Sequence, residues 1–212
     1  MSSPADTKRK SKKPALAEVT KPASEPLVQN SAMSNGMSYS LDSSDTIVSV
    51  GGHWDDFARE NNGENILSSK IIGWKLDRFI SGDDTRMFVR TMIMSVRTLH
   101  RPIYRPYRCD SPTLKRFMEM TLLPRANGAV EVIHRELHSE PIFHNVPIFA
   151  APAGAGWAFL KRCSLCNRVH AQGIWSEIDE AIETHRLQVT APSLKVIYGV
   201  CPDCLSRRGV PL

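Results

Sequence analysis

The sequence predicts an α+β protein in which short helices precede an antiparallel sheet and a small cysteine-bearing module follows. Three features carry that prediction. Apolar residues recur at helical spacing between Trp54 and Leu99, β-type runs follow between Ile103 and Leu137, and two C-x-x-C pairs, Cys163/Cys166 and Cys201/Cys204, lie behind them.

The first ordered element is expected at Thr46-Ile47-Val48-Ser49-Val50, a β-type run ended by Gly51-Gly52. Trp54, Phe57 and Ala58 are spaced i, i+3, i+4, so a short helix runs to Asn61-Asn62-Gly63. A second short helix is expected across Ile71, Ile72, Trp74, Leu76, Phe79 and Ile80. Ser81-Gly82-Asp83-Asp84 breaks the chain, and either Asp suits the cap of the next helix. That helix, Thr85 to Leu99, is the longest candidate, with Met87, Phe88, Met92, Val96 and Leu99 forming its apolar stripe. Arg101-Pro102 ends it.

Strands are then expected over Ile103–Cys109, Leu114–Leu123 and Ala129–Leu137. In the second, Arg116, Met118 and Met120 alternate with Phe117, Glu119 and Thr121, the pattern of a strand with one face buried. Asp110-Ser111-Pro112 makes the first connection. Asn127-Gly128 supplies the positive φ of a hairpin turn for the second.

With 42% hydrophobic and 23% charged residues, the chain can bury a core, which rules out wholesale disorder. The net charge of +5 does not argue for nucleic acid, because it is local. Of 27 basic and 22 acidic residues, six and three lie in residues 1–40. Residues 1–43 are rich in Ser, Ala, Pro and Lys, carry one aromatic, Tyr39, and read as a disordered basic tail. The run Lys8-Arg9-Lys10-Ser11-Lys12-Lys13 has the composition of an anion-binding or nuclear-targeting patch, or simply of a solubilising tail. No apolar leader and no membrane-length apolar stretch is visible, so a cytoplasmic setting is expected, with no membrane insertion. In that reducing setting paired cysteines hold metal more often than they form disulfides.

The order Ile47–Val50, Trp54-x-x-Phe57-Ala58-x-x-Asn61, Ile72-Gly73-Trp74-x-Leu76, the helix to Leu99 and the strands through Leu137 resembles a PAS domain. Tyr107-Arg108-Cys109-Asp110-Ser111-Pro112 with Arg116-x-x-Glu119-Met120 resembles small bacterial members in particular. One departure is that the family's second strand is not obvious around Gly51–His53. The segment from Cys163-Ser164-Leu165-Cys166 through Trp175 and Glu177 to Cys201-Pro202-Asp203-Cys204 resembles a cysteine-bearing tail that follows bacterial sensor modules. The resemblance implies four parts. They are a tail over 1–43, a PAS-like sensory domain over 44–138, a linker over 139–157 and a small four-cysteine, zinc-ribbon-like module over 158–212.

Cys163, Cys166, Cys201 and Cys204 can supply four thiolates to one structural zinc ion; a redox dithiol and plain buried cysteines are the alternatives. The 34 residues between Cys166 and Cys201 can hold a helix, since Trp175, Ile178, Ala181, Ile182 and His185 recur at helical spacing. His170 and His185 are candidate replacement ligands. Cys109 stands apart as a small half-buried hydrophobe, or as a thiol whose pKa Arg108 could lower.

Trp54, Phe57, Trp74, Phe88, Met92, Tyr104, Phe117 and Met120 either line an apolar ligand pocket or fill the core. No well-placed axial histidine and no flavin photosensor motif is present, so neither haem nor flavin is expected. Arg97, Arg101, Arg105, Arg108 and Arg116 form an arginine-dense stretch that suits an anion or a partner, or a solvated sheet face. No phosphate-binding glycine loop, G-x-S-x-G elbow or H-E-x-x-H motif occurs, and the chain has no room for a kinase catalytic domain beside these modules. The sequence thus reads as a non-enzymatic regulatory protein with a protein partner in a signalling pathway and a homodimer among its arrangements. Alternatives are a nucleic-acid-binding regulator, using Arg162, Arg168, Arg207 and Arg208 with the basic tail, and a thiol redox switch.

Overall fold

The computed structural model describes residues 36–111, 113–143, 146–151, 160–189 and 193–206. Strands β1 (Gly36–Leu41) and β2 (Ile47–Gly52) open it. Helices α1 (Trp54–Glu60), α2 (Ser68–Ile71) and α3 (Asp83–Leu99) follow, with single 3-10 turns at Glu64–Ile66 and Leu76–Phe79. Strands β3 (Ile103–Arg108), β4 (Leu114–Pro124) and β5 (Val130–Pro141) complete an antiparallel sheet in the order β2-β1-β5-β4-β3.

The expected tail is shortened by this result. Gly36–Leu41, assigned to it by composition, is an inner strand between β2 and β5. Met37, Tyr39 and Leu41 alternate into the core, and six backbone pairs tie β1 to β5. The run beginning at Ile47 is therefore the second strand, not the first. The basic run Lys8–Lys13 lies outside the described residues.

Two further expectations shift. The second short helix is α2 and a 3-10 turn, separated by the extended residues Ile72 and Lys75. In α3 the buried stripe is Thr85, Met92, Ile93 and Val96, whereas Met87 and Leu99 are exposed. Asp83 and Asp84 do not cap α3; Gly82 occupies the cap position, and the two acids lie in the first turn, favourable for the helix dipole. The β4–β5 turn has the expected positive φ at Asn127 and Gly128.

A second, mixed sheet has the order β6-β10-β7-β8-β9, from β6 (Ile148–Ala150), β7 (Leu160–Cys163), β8 (Val169–Ala171), β9 (Ile174–Ser176) and β10 (Leu194–Gly199). Helices α4 (Ile178–Glu183) and α5 (Pro202–Ser206) belong to this part. The stretch expected as a linker is partly sheet: β5 runs to Pro141, and β6 pairs in parallel with β10. Residues 152–159, including Gly154-Ala155-Gly156, lie outside the described residues. The helix expected between the cysteine pairs is limited to α4, with Trp175 on strand β9 and His185 just beyond the helix in a left-handed conformation.

The two parts pack directly on each other. Phe88 of α3 and Tyr107 of β3 touch both the main core and the cysteine cluster. At the start of α3, Gly82 has φ +85, and a Cβ there would sit 2.4 Å from the Tyr198 carbonyl oxygen of β10. Gly82→Ala combines a strained φ with a backbone clash, so a loss of about 2–4 kcal/mol in urea unfolding is expected.

Candidate metal centre

The two cysteine pairs meet because β7 and β10 are parallel neighbours. Their register sets Gly199 opposite Cys163, so both strands release the chain on the same side. After β7, residues 164–166 turn sharply and Asn167 adopts a left-handed φ of 61°. The Asn167 N–H bonds to the Cys163 carbonyl at 3.0 Å, and the Cys163 N–H to the Arg168 carbonyl at 2.8 Å. After β10, Cys201 precedes α5, whose first residue is Pro202, where proline's fixed φ suits a helix and no N–H is needed. Cys204 follows within that turn.

The four Sγ atoms lie within 4.8 Å of one another. Cys166 and Cys201 are 3.7 Å apart. Four sulfurs at about 2.3 Å from a tetrahedral ion are about 3.8 Å from one another, so this set could hold a metal ion. Cys163 and Cys201 are fully buried, Cys204 nearly so, and Cys166 is half-buried. The N–H groups of Leu165 and Cys201 point at the Cys163 sulfur, at 3.5 and 3.4 Å. Hydrogen bonds from the Cys166 and Cys204 thiols, with backbone N–H groups, hold the Cys163 thiol far below its ordinary pKa. The same crowding around Cys163 pushes Cys166 up to about 12 and Cys204 higher still. A divalent ion would supply the positive charge that lets neighbouring thiols ionise together.

Neither candidate histidine joins the cluster. His170 lies against Trp175 with the rings tilted and their centroids 5.0 Å apart, and His185 follows α4. Cys109 is also separate, and burial raises its pKa; the guanidinium of Arg108 is bound elsewhere.

Two of the five arginines expected on an exposed face are buried, and they fix the cysteine loops to the first sheet. Arg105 is 4% exposed, donates to the Cys204 carbonyl, and lies 5.0 Å over the Phe88 ring. The backbone N–H of Arg108, on edge strand β3, donates to the Leu165 carbonyl at 2.7 Å. The Arg108 side chain, 8% exposed, binds both carboxylate oxygens of Asp110, at 3.0 and 2.6 Å, and Glu177 at 2.7 Å. Thr85 and Ser164 share a hydroxyl hydrogen bond of 2.6 Å. Arg105 buries with the Cys204 carbonyl as an acceptor, and Arg108 with the carboxylates of Asp110, two residues on, and Glu177, just ahead of α4.

The other three do not form a common patch with them. Arg97 ties α3 to the carbonyls of Asp42 and Gly128 and to Asp45. Arg116 binds Asn61 at 2.7 Å and lies over Phe57, while Arg101 is exposed. Of the cations assigned to the nucleic-acid alternative, Arg168 pairs with Asp203 at 2.9 Å, and Arg207 and Arg208 lie outside the described residues.

The eight residues expected around a ligand pocket disperse. Met92 and Met120 are in the core, Trp74 is half exposed with Arg78 on its ring, and Phe117 stacks on His138 with centroids 4.3 Å apart. Phe88 faces the cysteines, and Tyr104 is half-buried on β3. Trp54 and Phe57 do line one apolar cavity of about 160 Å³, together with Met37, Tyr107, Cys109 and His134. There the Tyr107 hydroxyl is 2.8 Å from Nδ1 of His134, whose pKa burial lowers to about 4. Sequence reasoning missed Met37 and His134: Met37 lies in the segment read as a tail, and a single histidine within a predicted strand carries no pocket signal.

Comparison of the sequence with protein-family models and with curated proteins gives no match. Among solved structures there is a weak similarity to a domain of an HTR-like protein from Haloarcula marismortui ATCC 43049. It has 12% identity and a TM-score of 0.36, covering 49% of this chain and 98% of that one. No helix among the described residues is long and apolar enough to cross a membrane.

Arg108→Leu leaves the Asp110 carboxylate, itself 9% exposed, without its bidentate partner. A loss of about 3–5 kcal/mol in urea unfolding is expected, and a smaller loss when Asp110 is also replaced by an apolar residue.

Proposed function

We propose that the protein is a non-enzymatic regulatory protein in which a PAS-like sensory sheet and a structural four-cysteine zinc centre act as one body on a protein partner. The observation that carries this reading is the convergence of four cysteine sulfurs within 4.8 Å. Thiolates favour zinc among common divalent ions, and four of them fill a tetrahedral shell. A filled shell leaves no position for an activated water, so the ion's role is to hold the two loops together.

Support for the PAS-like reading comes from the element order. Two strands, β1 and β2, precede the helices and three antiparallel strands, which is the order that the PAS-like reading expects. The coupling route in this reading is short. A shift of β3 or α3 moves Arg105, Thr85, Phe88 and the backbone of Arg108, and these touch the cysteine loops directly. A signal that biases the packing of the sheet would thereby reach the surface around α4 and α5.

Native mass spectrometry of the purified full chain is expected to show one zinc ion per chain. Cys201→Ser is expected to abolish it and to lower the melting temperature by about 10 °C or more. Metal-free protein with four titratable thiols, and with melting unchanged by a chelator, would overturn the reading.

A further inference from the structure

Between the two sheets lies a cleft of about 310 Å³ that neither the metal centre nor the apolar cavity uses. Arg108, Ser111, Lys115 and Arg162 line it together with the carboxylates of Asp110 and Glu177, and Ile142, Ile148 and Ile178 contribute apolar surface. The ions in it are mostly committed. Arg108 occupies both oxygens of Asp110 and one of Glu177, and Lys115 pairs with Asp179 at 2.8 Å.

Arg162 is the exception. Its side chain is 14% exposed, yet its contacts are long: Nε lies 3.3 Å from the Asn167 carbonyl, and Nη2 lies 3.6 Å from an Asp110 oxygen that Arg108 already holds at 2.6 Å. Among the described residues no hydrogen bond is accepted from either Nη group of Arg162. A guanidinium carries five N–H donors in a planar fork that matches a carboxylate. The Nη groups of Arg162 retain contact with solvent, so the fork is open to a bidentate acceptor that enters the cleft. The surplus is one of donors rather than of net charge, which favours a ligand that brings two acceptor oxygens in one plane.

We infer that this inter-sheet cleft is a binding site for a small aliphatic monocarboxylate, its carboxylate on the fork of Arg162 and its hydrocarbon part against Ile142, Ile148 and Ile178. The hydroxyl of Ser111, which accepts from the Leu114 N–H at 3.1 Å, retains its own hydrogen for a second bond to the ligand. The volume suits a chain of about six carbons, at the small end of ligand sites. This inference goes beyond the metal centre and does not depend on which ion the cysteines hold.

The test is titration calorimetry on the full chain as purified, with hexanoate, hexanamide and inorganic phosphate as probes. Hexanoate is expected to bind one per chain, at least tenfold more tightly than hexanamide, and phosphate not to compete with it. Arg162→Gln is expected to weaken hexanoate at least tenfold while leaving melting within about 2 °C, since the side chain makes only long contacts. Arg162→Lys, which keeps the charge and loses the fork, is expected to weaken it several-fold. No hexanoate binding at 10-fold molar excess over millimolar protein, equal binding of the amide, phosphate binding alone, or hexanoate binding indifferent to Arg162→Gln would each overturn the assignment.

Discussion

Strands β7 and β10 run in parallel and end side by side, with Cys163 opposite Gly199. The arrangement of the C-terminal part follows from what those two ends must do. Each is succeeded by a tight turn, and each strand end with its turn carries two thiols. Packed alone, the turns would bury a small apolar set, Cys163, Leu165, Cys201 and Cys204, too little to offset the entropy of ordering them. Bringing the four sulfurs to one point provides a cross-link. Resting them on Phe88 and Tyr107 provides the missing apolar wall.

The same contact solves a problem for the first sheet. Strand β3 is an edge, and an edge offers unpaired N–H and C=O groups to any passing strand. The Leu165 carbonyl takes the Arg108 N–H, and the acceptors of the cysteine loops and of Glu177 let Arg105 and Arg108 leave water. Buried guanidinium groups are weak evidence of net stability, because desolvation consumes most of the Coulombic gain. They are strong determinants of register. Arg105 reaches the Cys204 carbonyl, and Arg108 reaches the Leu165 carbonyl through its N–H and Glu177 through its side chain, so each holds the second part at a fixed position on β3.

The four cysteines and most of the first sheet were legible because their signals are local: C-x-x-C spacing, the Asn127-Gly128 turn, and the alternation that buries Met118, Met120 and Leu122. Strand β1 was not. Met37, Tyr39 and Leu41 do alternate, but Ser and Gly fill the intervening positions, and composition pointed to a tail. The arginines misled for a different reason. Residue type puts Arg105 and Arg108 in solvent; Asp110 is close to Arg108 in sequence, but only the tertiary structure reveals the distant acceptors, 99 positions away in Cys204 and 69 positions away in Glu177. Aromatic residues likewise announce burial but not which cavity, so Phe88 turned toward the cysteines and Trp74 toward solvent. Spacing alone also cannot say that the strands leading into the two cysteine pairs lie in parallel.

The metal centre and the edge of the first sheet thus form one cooperative structure. Amide hydrogen exchange on the full chain, before and after chelation, addresses this directly. Protection at the Arg108 amide is expected to fall together with that at Cys163, Ser164 and Cys201, while the β4–β5 ladder stays protected. Opening of the cysteine loops with the Arg108 amide still fully protected would show that the two parts fold independently.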